Sequence, residues 1–302
     1  MLTVLASPLS YTLGAATVRA PTRATVAEMQ VAAPAPEKVG SDLKTLTLKT
    51  GDSEAVIYPF GACVTSYKKG GTDYLAVRPD AKLDGSKPIS GGIPHCFPQF
   101  GPGAIQQHGF ARNLDWEVVE SSDTKVVMEL TESDYTMEMW PHPFKAQYTV
   151  TLKEDRLATE FCVTNTGAAT FDFTAALHTY WSCTDIDKVS IKSPAFAGAT
   201  YLNKMLSPPA DETSSSDTIK IGGEVDSVYA NVSGDVVLAD AGRKAPMTIS
   251  NTMGWSDTVI WSPYGNEGMG YKEFVCVESA QAASSVVLQP QEYWTGAMEV
   301  VP

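Results

Sequence analysis

QYTVTL at 147–152 and RLATEFCVTN at 156–165 alternate apolar with polar residues on either side of Lys153-Glu154-Asp155. Tyr148, Val150 and Leu152 share one face of the first run; Leu157, Phe161 and Val163 share one face of the second. A period of two sends successive side chains to opposite faces of a strand, so the pair predicts an antiparallel hairpin with one buried face. Comparable runs recur along the chain: LTLKT at 46–50, AVIYPF at 55–60, WEVVE at 116–120, KVVMEL at 125–130, FDFTAALHTYW at 171–181, KVSIKS, DVVLA, PMTIS, DTVIW, FVCVES and SVVLQP. Gly, Asp, Asn and Ser separate them. No amphipathic helix, fixed-period repeat or second shift in composition interrupts the series, which predicts one all-β antiparallel domain over residues 41–302.

The 302-residue chain is 43% hydrophobic, enough for a packed core, and its net charge of −13 lacks the basic footprint that nucleic acid requires. An anionic ligand is therefore held by local positive charge against the overall field. Cys63, Cys96, Cys162, Cys183 and Cys276 are odd in number, widely spaced and free of any C-x-x-C pair, which points away from a disulfide framework or zinc site. Residues 1–40 stand apart. They carry Arg19 and Arg23, have no acidic residue before Glu28, and sum to +1 against −14 for the rest. This leader resembles an organelle transit peptide of the plastid kind, with AAPAPEKVG as its linker; a signal peptide and an untargeted tail, which leaves the protein in the cytosol, stay open as alternatives. No apolar run reaches the roughly 20 residues that cross a bilayer.

Between two strand regions lies SGGIPHCFPQFGPGAIQQHGFARNLDW, residues 90–116, with five glycines and three prolines. Such a segment is held in irregular turns, and irregular loops on a rigid sheet are where sites are commonly built. Gln107, His108 and Arg112 are its groups able to touch a polar ligand. The alternative is a structural crossover whose His and Arg satisfy loop carbonyls.

GGIP-x-CFPQFG followed by QHGFAR-x-x-x-W resembles the glucose-6-phosphate 1-epimerase branch of the aldose 1-epimerase, or galactose mutarotase-like, family. MWPHPF at 139–144, LHTYW at 177–181, EVDSVY at 224–229, SDTVIWSP at 256–263 and FVCVES at 274–279 agree in the same order. The resemblance runs from about Leu43 to the C-terminus. It implies a large twisted β-sandwich and, as activity, the interconversion of α and β anomers of a hexose or hexose 6-phosphate without a cofactor.

The resemblance places that chemistry on two residues. A lone histidine such as His178, in AALHTYW, is more often a hydrogen-bonded core residue; strand alternation places it with Ala176 and Tyr180, opposite Leu177, Thr179 and Trp181. Glu278 follows FVCV at the expected end of an apolar strand, where an unpaired charge is costly. Open water or a partner such as Lys272 is its structural explanation. Desolvation raises a carboxyl pKa and makes it a better base near neutrality. The resemblance implies that His178 is the acid and Glu278 the base, that His108 hydrogen-bonds the sugar, and that Gln107 and Asp226 hold hydroxyls. Read alone, Asp226 is a turn or strand-edge acid.

The resemblance also implies a pair of arginines for phosphate. Arg112 fills one position, while Ser90 stands at the other. Lys87, Arg78 and Lys82 are candidate substitutes without a spacing argument. Trp140 and Trp181 are candidates to stack on a sugar, or core. GPGAIQ at 101–106 lacks the third glycine of a dinucleotide motif, and the four histidines lack metal-ligand spacing. Two further readings remain for the same fold: a non-catalytic subunit of a larger assembly, and a carbohydrate-binding module.

Overall fold

A computed structural model describes residues 43–302 except 241 and 244; the leader and linker read over 1–40 lie outside the described residues. The predicted hairpin forms in register, with strands Phe144–Leu152 and Leu157–Asn165 paired antiparallel from Phe144 opposite Asn165 to Leu152 opposite Leu157. Its alternate residues are buried along both strands, as the period of two requires.

Among the described residues the strands form sheets of four, eight and nine, all antiparallel in their strand pairs. The hairpin sits inside the nine-stranded sheet beside Tyr293–Val301. The eight-stranded sheet has Phe274–Leu288 near its centre, flanked by Asp257–Ser262 and Phe171–Leu177. One core cluster draws Val126, Tyr148, Val163 and Met298 from the larger sheet and Leu177, Ile260, Val275 and Val277 from the smaller. The two sheets thus share a buried interior, which is the sandwich expected.

Several local expectations are corrected. FVCVES and SVVLQP belong to one 15-residue strand, Phe274–Leu288, so Glu278 lies within it and not at its end. AALHTYW is not continuous: the ladder stops at Leu177 and resumes at Tyr180. A helix, Asp134–Met139, was not expected; Ser133 caps it reciprocally with Thr136, and six residues are too few to display an amphipathic period. The strands Ala210–Thr213 and Thr218–Lys220 also escaped notice because each is a polar sheet edge without a buried alternation.

The segment 90–116 is more deeply built into the core than its composition suggests. Ile93, His95, Cys96, Phe97, Phe110 and Ala111 are fully buried. His95 packs against Trp116, Tyr148 and Phe161. Turns bring other side chains of the segment, Gln107 and Asp115 among them, to the surface.

Candidate active site

The outer face of the eight-stranded sheet carries the site. Along Phe274–Leu288, Val275 and Val277 point into the core, so Cys276 and Glu278 face away from it. Register then extends the face sideways: Glu278 opposes Val259, and Val259 opposes Val228, while Trp261 opposes Asp226. Asp226 is therefore an interior-strand residue facing this surface, not a turn acid. His178 sits in the gap between Leu177 and Tyr180, its backbone N–H donating to the Pro94 carbonyl at 2.9 Å. The break leaves the predicted facing intact, since His178 stacks on Tyr180 at 5.0 Å whereas Leu177 and Trp181 enter the core.

A cavity of about 770 Å³ opens over this face. His178, Glu278, Gln107 and His108 line it, as do Arg112, Asp226 and Ser90, so all seven residues singled out in the sequence meet there. Its volume lies within the usual range for small-molecule sites. Sequence reasoning missed Lys204, Phe100 and Trp261 as lining residues, and left Arg78 as one unplaced candidate among three. Lys82 and Lys87 are exposed and absent from the lining. Trp140 and Trp181 do not line it either: Trp181 is buried, and Trp140 packs on Phe97, Phe144 and Phe171. The aromatic edge at the site is Trp261, T-shaped to His178 at 5.6 Å. SDTVIWSP held it in view without marking which residue faced outward.

His178 Nδ1 and Glu278 Oε1 are 3.5 Å apart. Glu278 is 2% exposed, and neither its Oε2 nor His178 Nδ1 has a hydrogen-bond partner. Burial pushes the Glu278 carboxyl well above the usual carboxylate range, opposed by the positive charge of Lys204 and reinforced by Asp226. The same desolvation holds His178 down to about 3, helped by the Arg112 charge. Each group therefore prefers its neutral form, which leaves one proton donor beside one acceptor. Lys272, the suggested alternative partner of Glu278, pairs with Glu267 at 3.3 Å instead.

His108 is fixed from behind. Its Nδ1 accepts from the Gly101 backbone N–H at 3.2 Å and lies 3.0 Å from Cys96 Sγ. An accepting Nδ1 puts the remaining ring proton on Nε2, so the residue presents an N–H donor. Burial, with the nearby His178, holds it neutral at a pKa of about 2. The ring reaches this place from a left-handed backbone, φ +66°, in the turn that the Gly109 N–H closes onto the Gln106 carbonyl.

Cationic groups stand round the mouth. Arg112 donates from Nη2 to the Gln107 carbonyl at 2.9 Å, while its buried Nε has no partner. Lys204 pairs with Asp226 at 3.2 Å and lies over the Phe100 ring. Arg78 completes the set. The cavity offers three positive side chains against the Asp226 carboxylate in a chain whose overall charge is −13.

Residues 44–300 match the family model described as aldose 1-epimerase. A protein of Cenchrus ciliaris named "Putative glucose-6-phosphate 1-epimerase" is 31% identical over 272 residues, covering 82% of each chain. One of Escherichia coli K12 bearing the same name is 31% identical over 241 residues, covering 74% of this chain and 79% of that one. Among solved structures, a Salmonella typhimurium protein described as a "putative mutarotase" superposes with a TM-score of 0.76 at 25% identity, covering 86% of this chain and 90% of the other. The Slr1438 protein of Synechocystis gives 0.74 at 20% identity, covering 88% and 99%.

Proposed function

The chain belongs to the aldose 1-epimerase family, and from that premise we propose that it is an isomerase that interconverts the α and β anomers of a hexose 6-phosphate, with glucose 6-phosphate as the first candidate. The observation that carries this reading is the His178–Glu278 pair, 3.5 Å apart on the floor of a sugar-sized cavity.

Opening a cyclic hemiacetal needs one proton removed from the anomeric hydroxyl and one delivered to the ring oxygen. The C1–O5 bond then breaks, the aldehyde turns about C1–C2, and closure on the other face returns both protons. A neutral imidazole beside a protonated carboxyl supplies one acceptor and one donor, and exchange of the two roles on closure restores the starting pair. The resemblance makes His178 the acid and Glu278 the base; the pair carries the same single proton in that arrangement, and burial raises the proton affinity of the Glu278 carboxylate, as a base requires. Acid–base groups of this kind contribute about 10²–10⁴-fold each.

The remaining side chains orient the sugar. His108 Nε2–H donates to a ring or hydroxyl oxygen, Asp226 and Gln107 hold hydroxyls, and Trp261 offers an apolar edge. Arg112, Lys204 and Arg78 give the cavity its preference for a dianionic substituent, because guanidinium groups fork onto phosphate oxygens.

Exchange between anomers, followed by NMR on glucose 6-phosphate and glucose in parallel with a protein-free blank, tests the reading. Faster exchange of the phosphorylated sugar is expected at micromolar protein. Rates equal to the blank for both sugars remove the proposal.

A further inference from the structure

Resting on the sugar-phosphate reading above, we propose that Arg78 is the residue that selects for phosphate, occupying from a neighbouring segment the part of the cavity wall that the side chain of residue 90 would otherwise fill. Val77 and Gly91 form an antiparallel bridge, and the Arg78 N–H donates to the Ser90 carbonyl at 2.9 Å. Residues 78 and 90 therefore face each other across the bridge. Directly opposed residues project from the same face, with Cβ atoms roughly 4.5–5.5 Å apart. Both side chains line the cavity.

The close approach is built in. Gly91 has φ +145°, and a Cβ on it would lie 2.4 Å from Val77 Cα. The Gly92 N–H adds a bond to the Ala76 carbonyl at 2.8 Å, and the Ala76 N–H donates to Tyr180. The segment bearing Arg78 is thus tied both to residues 90–92 and to the wall that carries His178.

Size and charge divide the pair. Serine is small, so the wall opposite Arg78 is not filled by its partner. The Arg78 side chain is 13% exposed, and its Nε and Nη2 fork onto Asp80 at 2.9 and 2.5 Å. That fork fixes the plane of the guanidinium on one edge, and the Tyr180 hydroxyl, on a residue that also lines the cavity, neighbours the group as well. Arg112 brings the unpaired Nε of a second guanidinium to the same cavity. Lys204 is likewise paired, with Asp226, and its single ammonium cannot fork onto two phosphate oxygens. A phosphate group on the sugar is the ligand that two guanidinium groups lining one cavity suit, whereas an uncharged hydroxymethyl group gains little from them.

The test combines exchange kinetics with calorimetric binding, each on glucose 6-phosphate and on glucose, for the wild type, Arg78→Ala, Arg78→Ser and the double variant Arg78→Ser/Ser90→Arg. Arg78→Ala is expected to lower the preference for the phosphorylated sugar by about tenfold or more in both readouts, the loss of a charge-assisted contact. The double variant is expected to regain most of it, because the arginine returns from the facing position. It carries the test even where Arg78→Ala fails to fold. A preference unchanged in Arg78→Ala, or a double variant no better than Arg78→Ser, overturns the assignment. The two readings fail separately. A wild type that exchanges neither sugar but binds glucose 6-phosphate in an Arg78-dependent way removes the mutarotase and keeps Arg78, while exchange with an Arg78-independent preference does the opposite.

Discussion

On the cavity floor, Asp226, Val259, Trp261 and Glu278 hold their places through strand register; on the rim, Arg78, Ser90, His108 and Arg112 hang from bridges and turns. A floor residue cannot move one position without flipping to the core side of the sheet. The rim is less constrained, because two facing positions such as 78 and 90 reach the same space. The proposed proton-transfer pair accordingly draws on the sheet, through Glu278 and the end of the strand before His178. The charge proposed to read the substituent comes from the irregular segments.

Perturbing each region tests this division. The largest effect belongs to the floor: His178→Asn should slow anomer exchange by about 10²–10⁴-fold. Adding Glu278→Gln should cost little more, since a donor and acceptor that act as one unit lose most of their value with the first substitution. A double variant that is slower by the product of two large single losses would separate the two residues. Next is the bridge that carries the rim. Gly91→Ala forces a contact with Val77 at an unfavourable φ and should destabilise the fold by about 2 kcal/mol or more, measured by denaturant unfolding. A tolerated alanine would show that the bridge is not held as closely as described.

A smaller effect follows from burial. His95 and His178 are held down to about 3 and His108 to about 2, from an ordinary 6.5. Histidines lowered in this way contribute fully above pH 6.5 and lose that contribution as pH falls toward their folded values. Glu278, raised well above 4.5, has the opposite sign: its contribution is complete below 4.5 and drains as pH rises toward its folded value. Three histidines outweigh one glutamate, so stability should fall between pH 6.5 and 4.5, by at most about 1.4 kcal/mol per pH unit for each unbalanced proton. Thermal melts of wild type and His95→Phe check this, the variant showing a shallower acid slope with its exchange rate kept, since His95 is sealed in the core away from the cavity. The smallest change is expected on the rim: Ser90→Arg alone should shift the sugar-phosphate preference by less than about threefold, because Arg78 already stands opposite. A large gain would mean that the wall beside Ser90 lacks a working cation.

Much of the floor was legible in the sequence. Period-two alternation in QYTVTL and RLATEFCVTN fixes both the strands and their buried face, and the same rule correctly grouped Ala176, His178 and Tyr180. What could not be read was where strands end, because FVCVES and SVVLQP are joined by AQAAS, small residues that carry neither a turn signal nor a strong alternation. The pairing of Arg78 with Ser90 was also out of reach. It depends on a single bridge between segments that contain prolines, glycines and no strand-length pattern. Lys204 lay hidden for a similar reason: it follows a four-residue strand, Thr200–Asn203, that is half exposed and has no alternation to announce it.

The measurement that bears most directly on the proton pair is anomer exchange of glucose 6-phosphate by Glu278→Gln, taken beside its calorimetric Kd. Glutamine keeps the shape of the buried side chain but cannot pass a proton, so binding within a few fold of wild type should accompany a rate at least about 10²-fold lower. Exchange at the wild-type rate in that variant would contradict the assignment of Glu278 to the chemistry.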